Sequence, residues 1–226
     1  MQRYQLAPEF EPRNLATRGP LHLVEAMDPA TTAHVVVDMQ NGFMRPGALL
    51  EVPDARAVVP KVNAISAALR AAGGLVAYTR FAYHESEAKA WDAFYRRFLV
   101  PERAALQKAA FAPGSHDLEL WDGLDVADAD LVVDKTRYSA FIMGTCDLHS
   151  QLQARGIRTL IISGTMTNCC CESTARDAMQ YGYDVIFAAD ANATLTALEQ
   201  ETTLMNLALL FAEVVPSDVI LSALSP

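Results

Sequence analysis

Short apolar runs rich in β-branched residues recur along the chain, and most are followed by a stretch with helical spacing. The first run, Ala33-His34-Val35-Val36-Val37-Asp38, ends in a carboxylate. Leu75 to Thr79, Asp130 to Asp134, Arg158 to Ser163 and Tyr183 to Ala188 read as further strands, Thr159 to Ser163 as a buried one, and Val214-Val215 as a short sixth. Between them, Ala57 to Ala72 has helical spacing and stops at Gly73-Gly74. Asp147 to Arg155 reads as a helix stopped by Gly156, Asn168 to Tyr181 as the helix after the fourth strand, and Leu195 to Glu213 as a long one. This alternation predicts an α/β protein with a mostly parallel sheet covered on both faces.

Three segments depart from the alternation. Residues 1–31 read as an N-terminal extension, where Pro8, Pro12, Pro20 and Pro29 interrupt any long helix, and 32–226 as one domain. Residues 39–53 are loop-like, with Gly42, Pro46, Gly47 and Pro53. Residues 80–125 are the largest insertion between strands and are rich in aromatics, among them Phe81, Tyr83, Trp91, Phe94, Tyr95 and Phe98. Packing of the insertion on the sheet accounts for most of these rings, and some can wall a pocket.

Composition removes several function classes. The chain has 226 residues, 51% of them hydrophobic, enough for a sizeable core. Net charge is −9 with no Lys/Arg-rich block, which argues against a nucleic-acid partner. No stretch is long and apolar enough to span a membrane, and the polar N-terminus lacks the apolar core of a signal peptide. The four cysteines are Cys146 and the consecutive Cys169, Cys170 and Cys171. They make no disulfide framework, so a reducing, cytoplasmic setting is expected.

Candidate chemistry lies at the C-terminal ends of strands, where the crevice of a doubly wound sheet opens. Asp38 ends the first strand, Lys135 follows the third, and Cys170 lies in the turn after the fourth. A cysteine at the first turn of a helix sits where the helix dipole favours negative charge, which lowers a thiol's pKa. Thiol, carboxylate and ammonium form a workable nucleophilic set. Each member alone has an ordinary reading: a turn aspartate, a solvated lysine, a buried small hydrophobe.

The joint pattern resembles the isochorismatase-like cysteine hydrolases. Their pattern places Asp-x-Gln at the first strand end, Lys after the third, and Gly-x-x-Thr-Asn-x-Cys-x-x-Ser-Thr-x-Arg-Asp-Ala before a helix. This chain supplies Asp38-Met39-Gln40, Lys135, and the segment from Gly164 to Ala178. The resemblance implies a Rossmann-like, three-layer α/β/α fold with a six-stranded sheet. It makes Cys170 the nucleophile, Asp38 and Lys135 its catalytic partners, and the backbone N–H groups of Met166 and Cys170 the oxyanion donors. It also implies a cis peptide at Thr165–Met166 and assembly as a homodimer or homotetramer, to which the mostly apolar segment Val214 to Leu224 can contribute.

Departures and finer matches narrow the expectation. Relatives that hydrolyse nicotinamide carry an Asp-x-His metal motif after the second strand; here the positions are Arg80, Phe81 and Ala82, and His84 stands alone. No metal and no cofactor are therefore expected. Arg80 instead adds positive charge, a candidate contact for an anionic substrate group. Isochorismatases that cleave a vinyl ether lack the nucleophilic cysteine that this chain has. Lys135-Thr136-Arg137-Tyr138-Ser139-Ala140-Phe141 resembles a segment of ureidoacrylate and related ureido or carbamoyl amidohydrolases, which makes Tyr138 a substrate-contact candidate beside Gln40 and Phe43. The implied function is a cysteine amidohydrolase acting on a small molecule through a thioester and releasing ammonia. Vinyl-ether hydrolysis and a non-catalytic binding role are the alternatives.

Overall fold

The structure, a computed structural model, describes residues 8, 10–86 and 91–225; residues 1–7 of the N-terminal extension lie outside them. Six strands form one sheet: β1 (Thr32–Val37), β2 (Leu75–Phe81), β3 (Leu131–Lys135), β4 (Thr159–Thr165), β5 (Asp184–Ala193) and β6 (Glu213–Val215). Their order is β3-β2-β1-β4-β5-β6, and every neighbouring pair is parallel. The chain adds strands to one side of β1 and then returns to add β4 on the other. This reversal opens a crevice at the carboxyl ends of β1 and β4.

Nine helices accompany the sheet among the described residues: α1 (Glu11–Arg18), α2 (Asn41–Met44), α3 (Ala55–Ala71), α4 (Asp92–Arg97), α5 (Pro101–Ala110), α6 (Leu148–Ala154), α7 (Glu172–Gln180), α8 (Ala197–Leu210) and α9 (Ser217–Leu224). Because strand side chains alternate, one set of sheet residues serves each face. Val36, Tyr78, Ile161 and Ile186 join Val62, Ile65 and Leu69 of α3 and Ile220 of α9 in one core. Val35, Val37, Leu160, Ile162 and Phe187 join Leu148, Leu152, Ala175 and Leu207 of α6, α7 and α8 in the other. Burial on both faces explains why β1 and β4 read as unbroken apolar runs, while the edge strand β3 leaves Val132 exposed.

His34 is the polar exception in β1. Its ring nitrogens meet Ser66 Oγ at 2.9 Å and Ser163 Oγ at 2.7 Å, fully buried. Burial, aided by the charge of Arg70, lowers its pKa to about 3, so the ring is neutral at pH 7.

Three segments differ from the sequence pattern. The 80–125 insertion contains α4 and α5, and an aromatic cluster of Phe43, Phe81 and Phe111 fastens it to the strand ends. The segment after β6 forms α9 and packs on α3, so most of the apolar stretch from Val214 to Leu224 is buried within the protomer. In the extension, α1 starts with Pro12 in its first turn, where the missing N–H costs no helical bond. The extension then crosses to the far edge of the sheet: Arg18 donates to the Ala208 carbonyl, and the Val24 N–H donates to Glu213 Oε2 at 3.0 Å. Among the described residues no helix is long and apolar enough to cross a membrane.

Candidate active site

Three strand ends converge. Asp38 directly follows β1, with a positive φ of 52°, and is fully buried. Lys135 is the last residue of β3 and also has no solvent exposure. Its ammonium donates to Asp38 Oδ2 at 2.7 Å and to the Arg137 carbonyl at 3.0 Å. Thr79 Oγ1 of β2 donates to Asp38 Oδ1 at 2.8 Å, so both carboxylate oxygens are held. Lys135 also lies 5.3 Å from the centre of the Phe81 ring. Burial pulls its pKa down, but Asp38 and Cys170 outweigh it and raise it above the ordinary lysine range.

Cys170 reaches the pair from β4. Gly164, near the end of that strand, has φ 123° and lies so close to β1 that a Cβ there would collide with the Val37 backbone. The Thr165–Met166 peptide is cis. A π-helical turn, Thr167–Cys171, follows and leads into α7; the Cys171 N–H donates to the Met166 carbonyl at 3.1 Å. Cys170 sits in this turn, 4% exposed. The Met166 N–H donates to no group among the described residues, and Met166 and Cys170 both line the same cavity.

Cys169 and burial push the Cys170 thiol above the ordinary range, against the pull of Lys135. Hydrogen bonding with Cys170 holds the more exposed Cys169 below that range. The two thiols thus favour one shared negative charge rather than two. A helix start lowers a thiol's pKa only while solvent or a charge supports the thiolate, and Cys170 has given up the solvent.

A cavity of about 260 Å³ lies over the thiols. Phe43, Phe81, Phe94 and Leu99 make it largely apolar. Tyr138 closes one side, its ring edge-on to Trp91 at 4.7 Å and to Phe94 at 5.7 Å. Burial, with the neighbouring Cys169 and Cys170, raises the Tyr138 pKa, so the phenol keeps its proton to donate.

Not every candidate reaches this cavity. Phe43 and Tyr138 line it, whereas Gln40 and Arg80 do not. The Gln40 amide instead fastens the insertion, accepting from the Phe81 N–H at 2.7 Å and donating to the Phe81 and Leu118 carbonyls. Arg80 pairs with Asp134, its cross-strand partner, at 2.7 Å, and lies 3.6 Å from Glu119. Sequence reasoning missed Arg103 and Gln107 of α5, which do line the cavity. The signal available was Pro101-Glu102, a helix start that places residues 103 and 107 one turn apart. Among the described residues no group of three or more His, Cys, Asp or Glu side chains can hold a metal ion.

Known proteins resemble this chain in sequence and in fold. Residues 32–219 match the isochorismatase domain. The chain belongs to the isochorismatase family. Over 234 aligned residues it is 33% identical to the ureidoacrylate amidohydrolase RutB of Pseudomonas syringae pv. syringae, covering 97% of this chain and 93% of that one. A cysteine hydrolase from Pseudomonas syringae pv. phaseolicola superposes with a TM-score of 0.77 at 32% identity, covering 88% of this chain and 94% of that one. An isochorismatase family protein from Desulfovibrio vulgaris gives 0.73 at 30% identity, over 87% and 99% of the two chains. This isochorismatase-family hydrolase therefore has the all-parallel six-stranded fold of its relatives, with a buried thiol beside an ion pair at the strand ends.

Proposed function

We propose that this hydrolase is a cysteine amidohydrolase, cleaving a C–N bond of a small amide, ureido or carbamoyl compound and releasing ammonia. The observation that carries the reading is the placing of the Cys170 thiol at the cavity floor, electrostatically coupled to the buried Lys135–Asp38 pair. Whole-length similarity to a ureidoacrylate amidohydrolase supports the choice of bond.

In this mechanism Asp38 takes the thiol proton as the sulfur attacks the carbonyl carbon. Lys135 stabilises the thiolate as it forms, and the Met166 and Cys170 N–H groups receive the oxyanion. The tetrahedral intermediate collapses: the C–N bond breaks, and ammonia leaves with the proton from Asp38. Water then adds to the thioester, gives its proton to Asp38, and frees the acid and the thiol.

Cys170→Ala is expected to abolish ammonia release from a panel of small amides, ureas and carbamoyl compounds, while Cys169→Ala keeps substantial activity. Acid quenching during turnover, followed by peptide mapping, is expected to find the acyl adduct on Cys170; an adduct on Cys169 overturns the assignment. The four free cysteines support a cytoplasmic setting, and exposed Phe98, Val100 and Leu106 near α4 and α5 support assembly as a homo-oligomer. A single 24.6 kDa species in light scattering rejects the assembly.

A further inference from the structure

The π-helical turn that carries Cys170 also carries Asn168, two residues earlier. Two residues along a helical backbone is roughly half a revolution, so the two side chains leave the turn on nearly opposite sides. Cys170 lines the cavity, and Asn168 does not. The Asn168 amide is instead bonded at both ends. Thr194 Oγ1, just past β5, donates to its Oδ1 at 2.7 Å, and its Nδ2 donates to Glu199 Oε1 of α8 at 3.2 Å. An ionised carboxylate only accepts, which fixes the end of the amide that faces Glu199.

Glu199 is itself held in place. Its Oε2 accepts from Thr196 Oγ1 at 2.7 Å, and its backbone N–H donates to the same hydroxyl at 3.2 Å. Thr196 caps α8, so the carboxylate that reaches Asn168 belongs to the capped start of a 14-residue helix. One turn further along α8, Thr203 Oγ1 donates to Glu172 Oε2 at 3.1 Å, while Arg176 holds the other Glu172 oxygen at 2.6 Å. Residues 168 and 172 are four apart, as are 199 and 203, so the two contacts form rungs between α8 and the segment that carries the thiol. Cys170 lies midway between the rungs in sequence.

We propose that Glu199 is a positioning residue for the nucleophile: through Asn168 it fixes the rotation of the turn, and with it the aim of the Cys170 thiol. A turn held on its back resists rolling, and the side chain on its front inherits that orientation. Aim matters because a misplacement of about 1 Å can cost on the order of 10²-fold in rate. Among the described residues, Glu199 and Asn168 neither line the cavity nor bond to Lys135 or Asp38, so their effect passes through the turn. The role rests on the reading of Cys170 as the nucleophile of an amidohydrolase.

The test compares Glu199→Ala, Glu199→Gln, Asn168→Ala and the double alanine variant. Two quantities are read: ammonia release from the compound of the panel that turns over fastest, and alkylation of Cys170 by iodoacetamide across pH, followed by peptide mapping. Glu199→Ala is expected to lower kcat about 10- to 100-fold with KM within about threefold, because the cavity wall is untouched. Glu199→Gln, whose carbonyl still accepts from Asn168, is expected to recover most of that loss. The two alanine losses are expected not to accumulate in the double variant, since either one breaks the same contact. The pH midpoint of Cys170 alkylation is expected to move by about half a unit or more in Glu199→Ala and to return in Glu199→Gln, because the thiol changes its distance from Lys135. A role in stability alone lowers the urea midpoint and leaves kcat and the alkylation profile in place, which overturns the proposal. So do a loss in KM alone, a Glu199→Gln as impaired as Glu199→Ala, or losses that multiply in the double variant. If Glu199→Ala does not fold, Thr194→Val, which removes only the hydroxyl bonded to Asn168, is expected to lower kcat about fivefold at unchanged KM, and an unchanged kcat overturns the proposal. A panel in which nothing is hydrolysed counts against the amidohydrolase reading, and the alkylation profile then tests the Glu199 brace by itself.

Discussion

Two ion pairs sit one residue apart on the β2–β3 edge. Arg80 and Asp134 face each other across the strands, and the next register pair is Phe81 with Lys135, whose ammonium turns to Asp38. Both pairs close at 2.7 Å. The outer pair is 22% and 45% exposed, the inner pair not at all. Equal distance therefore says nothing about equal consequence. Water and salt screen the outer pair, and its formation gains little. The inner pair has lost its hydration, so each charge depends on the other and on Thr79 and the Arg137 carbonyl. In the proposed mechanism such a pair serves chemistry because its charges stand beside the thiol with no water to weaken them.

The largest effect expected from breaking the comparison is at the inner pair. Lys135→Ala leaves a buried carboxylate unpaired and is expected to cost about 3–5 kcal/mol of stability, together with at least ~10²-fold in kcat. Asp38→Asn keeps the shape and is expected to lose kcat by a similar factor. Urea unfolding and ammonia release read the two losses, and a variant of either residue with near-wild-type kcat removes it from the catalytic set.

His34 gives an intermediate effect and extends the contrast to a titrating group. Its folded pKa, about 3, lies below the unfolded value of 6.5. The folded state therefore binds fewer protons, and stability that is complete above pH 6.5 falls as pH drops toward 3. Between pH 7 and pH 5 this loss is about 2 kcal/mol by linkage. Urea midpoints of wild type and His34→Gln at the two pH values test it: the substitution is expected to flatten the dependence, and parallel losses refute the burial argument.

The smallest effect is expected at the outer pair. Arg80→Ala should change stability by about 0–1 kcal/mol and leave kcat within about twofold. A loss of activity comparable to that of Lys135→Ala would restore Arg80 as a substrate contact.

Legibility followed physical cause. β1 was readable because its central position buries both faces, so Val35, Val36 and Val37 run without a polar break. Asp38, Lys135 and Cys170 were readable because strand ends in a parallel sheet must converge and the motif fixed their register. That Arg103 and Gln107 line the cavity was hidden, since it depends on how the insertion folds back over the strand ends, which no local spacing encodes. Arg80 misled for the complementary reason: its positive charge was visible in the sequence, but its neutralisation came from a strand more than fifty residues away. Gln40 likewise has its amide tied up by Phe81 and Leu118. The helix α9 was missed because Val214 to Leu224 has little polar periodicity to separate strand from helix.

The reacting groups come from β1, β3 and the turn after β4, whereas Phe94, Leu99, Arg103 and Gln107 come from one contiguous stretch of chain, residues 94–107. The rest of the cavity wall, Phe43, Phe81 and Tyr138 among it, comes from other parts of the chain. A library confined to residues 94–107 varies four of the cavity's lining residues and leaves Asp38, Lys135 and Cys170 in place. The fold offers a diversifiable module only fourteen residues long, small enough to randomise position by position.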